Sequence, residues 1–108
     1  MPINENIFRV FLITKGRVTG QPHQVILRGV KYNEKIYFSR HKPDSDWFQN
    51  VTINPEVIIK YREFSYKGTA KTVTDEKLNQ KISQLKYPDE KRAKEKRVAI
   101  EITLHEQL

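Results

Sequence analysis

The alternation of apolar and polar positions divides the chain into six segments of strand character and two of helical character. Residues 7–14, IFRVFLIT, are β-branched and aromatic and run into the glycine-containing stretch 15–22, KGRVTGQP, which predicts a strand leading into a loop. In residues 23–31, Val25, Leu27 and Gly29 fall on one face and Gln24, Ile26, Arg28 and Val30 on the other, so both faces are expected to be at least partly covered. Tyr32, Asn33 and Glu34 read as a turn, and KIYFSR at 35–40 returns as the second arm of a hairpin. Residues 56–63 and 65–74 predict two more strands joined by a tight turn near Arg62 to Phe64. The close is the clearest: Val98, Ile100, Ile102 and Leu104 alternate with Ala99, Glu101 and Thr103, as a half-buried strand requires.

Two segments change period. Trp47, Phe48 and Val51 have helical spacing and stop at Asn54-Pro55, which predicts a short helix after the third strand with Trp47 as its packing anchor. Asp44 and Asp46 stand at its start, where carboxylates cap a helix and complement its dipole. Leu78, Ile82 and Leu85 predict a longer helix over 75–86, with Thr74 or Asp75 as N-cap and Tyr87-Pro88 closing it. The expected fold is mainly β with minor α. Six antiparallel strands curl into a small barrel, with one short helix after strand 3 and the longer helix, before the last strand, packed outside.

Composition narrows the function classes. A chain of 108 residues is expected to form one domain over 1–108, small enough that a second copy would help to bury its surface. There is no cysteine, which excludes disulfides, thiolate metal sites and a cysteine nucleophile and fits a reducing interior. The opening MPINENIFRVF lacks the basic start and apolar core of a signal peptide, and no apolar run approaches a membrane span. The expected location is the cytoplasm, without membrane insertion. His23, His41 and His105 are too far apart in sequence for a helical metal-ligand pair, so no metal site is assigned. Gly16 and Gly20 lack the Lys-Ser/Thr ending of a P-loop, and no GxGxxG links a strand to a helix.

A net charge of +7 attracts polyanions or phosphorylated ligands without choosing among them. The charge has local structure. Arg40, His41 and Lys42 leave the end of a strand, and the free backbone N–H groups of residues 46–48 open a helix immediately afterwards, which together suit a phosphate. If the sheet curls, the loop carrying Lys15, Arg17 and Thr19 comes near this point and clamps the same group. Asn50, one turn into the short helix, either bonds a ligand or caps the helix end.

These residues carry a family resemblance. Thr14 to His23, TKGRVTGQPH, resembles the T-x-G-R-K-S/T-G-x-P-R loop of the deazaflavin-dependent nitroreductases, which belong to the pyridoxamine 5′-phosphate oxidase-like FMN-binding split barrels. DWFQN at 46–50, followed by NPEV at 54–57, resembles that family's W-Y-x-N…N-P-x-V segment, and Tyr87-Pro88 resembles its Y-P element. The resemblance implies a split barrel, commonly a homodimer, that binds FMN or the deazaflavin coenzyme F-420 and moves a hydride to a quinone, nitro or other unsaturated acceptor. It implies Arg17, Thr19, Gly20, Lys42, Trp47 and Asn50 as cofactor-binding residues; Arg40 and His41 join them on the charge argument alone. No catalytic acid or base is assigned, because the hydride chemistry is the cofactor's. Departures are Val18 for the family's Lys, His23 for its Arg, Ile26 for a frequent proline, and a charged run at 89–97 where relatives often place aromatics. The competing reading is a basic barrel binding nucleic acid through Tyr32, Tyr37, Tyr61, Phe64 and Tyr66 among the lysines. A third is a catalytically silent family member that only holds a cofactor.

Overall fold

The computed structural model describes residues 3–40, 45–88 and 97–108. Its strands are β1 (Ile7–Lys15), β2 (Pro22–Tyr32), β3 (Lys35–Arg40), β4 (Glu56–Tyr61), β5 (Phe64–Thr72) and β6 (Val98–Gln107), and its helices α1 (Asp46–Ile53) and α2 (Glu76–Lys86). Every neighbouring pair is antiparallel, and the order β1-β2-β3-β6-β5-β4 closes into a barrel where Phe11–Thr14 of β1 meet Val57–Lys60 of β4. Closure pairs the two edges that an open sheet would offer to other chains. The expected six-stranded barrel with a short and a longer helix is what forms.

Local chemistry sets the turns. Asn33 and Glu34 both have positive φ, 50° and 63°, the two-residue hairpin conformation whose twist matches that of the flanking strands. Arg62 sits at φ 57°, so β4 stops at Tyr61 rather than Glu63, and β5 starts one residue early, at Phe64. β5 also ends at Thr72, leaving Val73 and Thr74 to lead into α2.

The main core fills the barrel with Leu12, Ile36, Phe38, Ile59, Ile100 and Ile102, joined by Trp47, Phe48 and Val51 of α1. α1 packs against β1 and β5 and so brings its site-facing residues to the mouth of the barrel. α2 lies outside on β2, β3 and β6, where Ile82 packs with Tyr37, Val73 and Ala99. That second layer alters two expectations. The first half of β6 is covered on both faces, since Ala99 is buried beneath α2 while Ile100 and Ile102 face the barrel. β2 is covered on its outer face only toward Val30, and Ile26 remains 57% exposed.

The caps divide in the same way. Asp75 is the N-cap of α2, accepting from the backbone N–H of Lys77 at 2.9 Å and of Leu78 at 3.4 Å, and Tyr87 closes the helix. At α1 the cap is Ser45; Asp46 is a first-turn residue, and Asp44 lies outside the described residues.

Candidate functional site

The loop between β1 and β2 is held by its own backbone. Gly16 N–H donates to the Gln21 carbonyl at 2.8 Å and Gly20 N–H to the Gly16 carbonyl at 3.0 Å, with Gly20 at φ +76°, a conformation that favours glycine. The Thr19 hydroxyl accepts from Gln21 N–H at 3.2 Å, so it shapes the turn. Arg17 alone leaves the loop for the helix. Its backbone N–H and its Nη1 both donate to Asn50 Oδ1, at 3.2 and 2.9 Å, and its guanidinium also reaches the Asp46 carbonyl and Oδ1, each at 3.4 Å. Asn50 Nδ2 in turn donates to Thr14 Oγ1 at 3.1 Å, both residues being almost completely buried.

Asn50 is thus a bolt between the glycine loop and α1. Its side chain does not cap the helix end, a task taken by Asn54, whose N–H donates to the Asn50 carbonyl. Trp47 is buried, its ring edge-on to Phe38 at 6.3 Å, and acts as the anchor of α1 in the core. The proximity expected between the two basic segments therefore holds for Arg17 and the start of α1. Arg40 is exposed at the end of β3; His41 and Lys42 lie outside the described residues.

One atom at this junction fits an anionic ligand. Ser45 Oγ, at the N-terminal end of α1, is buried and has no hydrogen-bond partner among the described residues. A buried hydroxyl left unpaired is costly, whereas a phosphate oxygen accepts from it and from the free N–H groups of the first helical turn. Thr14 and Ser45 were not singled out from the sequence, although Thr14 opens the T-x-G-R motif.

Beside the loop lies a groove of about 390 Å³, walled by Ile13, Val57 and Ile58 and reaching Gly20. Lys15, Lys67 and His105 stand on its lining, and His105 Nε2 is 2.6 Å from Thr69 Oγ1. An apolar wall with a few polar groups suits a flat ring carrying oxygens. His105 comes from the far end of the chain, so only the β5–β6 pairing brings it here.

A second cluster sits behind the end of β3. Arg28, Lys86 and Arg97 surround the Tyr87 ring at 5.3, 5.2 and 5.0 Å from its centroid. Lys86 Nζ and Arg97 Nη2 donate to the same atom, the Ser39 carbonyl oxygen, at 3.0 and 3.1 Å. Burial pushes the Lys86 ammonium below the ordinary lysine range, while electrostatic attraction and a hydrogen bond to the Tyr87 hydroxyl oppose that shift. Across β3 and β6, burial and a hydrogen bond to Glu101 push the Tyr37 hydroxyl up to about 12. Lys35 holds the Glu101 carboxyl below the usual range. This pair packs beneath α2, away from the groove. Among the described residues no group of His, Asp or Glu is placed to hold a metal ion.

A closed six-stranded antiparallel barrel, with a basic glycine loop bolted to a short helix beside an apolar groove, defines the class of the split-barrel flavin and deazaflavin proteins. The chain belongs to the F420H(2)-dependent quinone reductase family, whose model matches residues 4–107, and it is accordingly an oxidoreductase of a family that uses the deazaflavin coenzyme. No curated protein sequence matches the chain. Among solved structures, a conserved hypothetical protein from Mycobacterium tuberculosis is similar with a TM-score of 0.74 and 20% identity, over 93% of this chain and 74% of that one. An F420-H2 dependent reductase is similar with a TM-score of 0.69 and 21% identity, over 88% of this chain and 93% of that one. A chain described as a domain-swapped dimer is similar with a TM-score of 0.70 and 20% identity, over 95% and 84%. At these identities the structural likeness speaks for the fold.

Proposed function

We propose that this chain binds coenzyme F-420 with its phosphate between the glycine loop and the start of α1, and passes a hydride to a small quinone or nitro acceptor. The observation that carries this reading is the Arg17–Asn50–Thr14 link, which joins the family's two motif segments into one rigid unit. Arg17, Thr19, Gly20, Arg40, His41 and Lys42 are the phosphate-side residues, and Trp47 and Asn50 hold α1 in place against them. When bound, the reduced deazaflavin supplies the hydride; the chain binds, orients and excludes water. The groove beside Gly20 offers Ile13, Val57 and Ile58 as a wall for a flat ring and His105 as a polar contact for its oxygens.

Titrating the protein with F-420 and with FMN while recording melting temperature and absorbance tests this. F-420 at a hundredfold excess over its Kd is expected to stabilise by about 2.7 kcal/mol, seen as a rise of several degrees. Oxidation of the reduced coenzyme should then follow addition of a simple quinone. Stabilisation by FMN alone would make FMN the cofactor, and no response to either would end the reading; binding without turnover would leave a cofactor holder.

A cytoplasmic homodimer is part of the proposal. On the outer face of the barrel Phe11 pairs with Ile26 and Ile13 with Ile58, and Phe11 and Ile26 are 40% and 57% exposed. This apolar strip runs into the groove wall at Ile13 and Ile58 and suits a second copy. Phe11→Lys is expected to shift the protein from dimer to monomer in light scattering at micromolar concentration; a monomeric wild type, or a variant that stays dimeric, rejects this face.

The nucleic-acid alternative loses its stacking platform. Tyr37, Tyr61 and Tyr66 are all buried, the last two at 8% and 7% exposure, which leaves Tyr32 and Phe64 with accessible rings. No helix among the described residues is long and apolar enough to cross a membrane.

A further inference from the structure

We propose that His105 is the proton donor to the acceptor, giving its Nδ1 proton to a quinone oxygen in the groove while Thr69 holds Nε2. This role rests on the hydride transfer proposed above and supplies its missing acid, which no sequence motif marks.

The position of the ring comes from an irregularity in the sheet. Gly68 of β5 pairs with Leu104 of β6 and Tyr66 with Gln107, so Lys67 alone faces both His105 and Glu106. An extra residue of this kind bends the strand and re-aims the side chains it carries, which is why bulges recur beside active sites. Here it separates the two side chains by task. Glu106 turns to Lys67, carboxylate to ammonium at 3.8 Å, and His105 joins Lys67 and Thr69 on the lining of the groove. Thr69 Oγ1 lies 2.6 Å from Nε2, which fixes the ring and leaves Nδ1 as the nitrogen that exchanges a proton. With the Nε2 proton donated to Thr69, the same hydrogen bond serves the charged ring and the neutral one. His105 is exposed, so the ring recovers its proton from water after each transfer.

The chemistry of the acceptor calls for such a group. Reduction of a quinone breaks a C–H bond of the reduced coenzyme and forms a bond to that hydrogen on the quinone, and the electron pair that moves with it leaves negative charge on a quinone oxygen. Beside the apolar wall of Ile13, Val57 and Ile58 that charge is poorly solvated. Transfer of the Nδ1 proton forms the O–H bond, gives the hydroquinone and leaves the imidazole neutral. The other charged groups around the groove are Lys15 of β1, Glu56 of β4 and Lys67 of β5, with Glu106 of β6 on Lys67. A lysine ammonium ordinarily keeps its proton at neutral pH, whereas an imidazole gives one up and regains it.

The experiment has an arm without coenzyme and an arm with it. In the first, para-nitrophenolate stands for the oxyanion and nitrobenzene for the same ring without one, and NMR follows the imidazole nitrogens of His105 as each is added. The phenolate should move the Nδ1 resonance. His105→Ala, a change at an exposed residue, should weaken phenolate binding about tenfold or more and leave that of nitrobenzene unchanged. Thr69→Val, also at an exposed position, should keep the fold and shift the neutral ring toward the Nδ1-protonated tautomer in the same spectra. In the second arm the F-420-loaded protein reduces duroquinone. His105→Ala should lower kcat about a hundredfold with KM and F-420 affinity nearly unchanged, and imidazole in the buffer should restore part of the rate. The wild-type kcat should fall as pH rises, because the imidazolium gives way to the neutral ring, and the alanine variant should lose that fall. A His105→Ala protein with wild-type kcat and pH profile overturns the inference and leaves the cofactor reading intact, and so does a His105 ring that ignores the phenolate. A wild type that binds no F-420 sinks the cofactor reading and takes the donor role with it, even where the phenolate still moves the ring.

Discussion

Asn50→Ala is expected to lower stability by roughly 3 kcal/mol and to abolish measurable cofactor binding. Three hydrogen bonds disappear at once, two from Arg17 and one to Thr14, and one of them involves a guanidinium. Thr14 is 1% exposed, so its hydroxyl loses its Asn50 partner where water does not easily replace it. For a domain of this size such a loss amounts to a fall of roughly 10–20 °C in melting temperature. The functional effect has a different origin. Arg17 is held against α1 by the same carboxamide, and without it the hydrogen bonds left to Arg17 among the described residues are the weaker 3.4 Å contacts to Asp46, whose side chain is 85% exposed. Asn50→Asp keeps an acceptor for Arg17 and is expected to lose much less. Urea denaturation and F-420 titration of both variants check this; an alanine variant with wild-type midpoint and affinity would show that the link carries neither fold nor site.

Phe38→Ala is expected to be more damaging still to stability, by about 3–5 kcal/mol, the range for removing a buried aromatic from a core. The ring is 1% exposed, and it occupies space that other residues define closely. A Cβ on Gly29 would come within 2.9 Å of Phe38 Cε1 and 2.7 Å of Phe8 Cε2, so the glycine exists to let two rings meet over β2. On its other side Phe38 supports Trp47 at an interplanar angle of 79°. Removing it leaves a cavity under α1, and the helix that carries Asn50 and Ser45 loses its footing. Phe38→Leu refills most of that volume and should cost about 1–2 kcal/mol. If alanine and leucine prove equally mild in chemical denaturation, Trp47 does not depend on this ring, and the anchoring of α1 must be sought in Phe48 and Val51.

Much of the architecture was legible from pattern. The strands, the Asn33–Glu34 turn, the Asp75 cap, the placement of α2 outside and the burial of Trp47 all follow from periodicity and from turn and cap chemistry, which act within a few residues. The errors have the same origin. Extending β4 to Glu63 missed the left-handed Arg62, for which no glycine or asparagine gave warning, and assigning the α1 cap to the aspartates overlooked Ser45 between them. The motif resemblance placed Arg17 and Asn50 in one site but did not reveal that they bind each other.

Periodicity along this chain was enough for its elements and their order, because alternation of side chains and the rules of caps and hairpins are short-range. Folding had to supply the rest: barrel closure between β1 and β4, the groove reached by His105, and the convergence of distant donors. Asn50 meets Thr14 across 36 positions, Lys86 meets Ser39 across 47 and Arg97 meets it across 58. Contacts of that span leave no local periodicity behind, since any of these side chains would read in isolation as an ordinary polar surface residue, and only the closed sheet brings them within hydrogen-bonding distance.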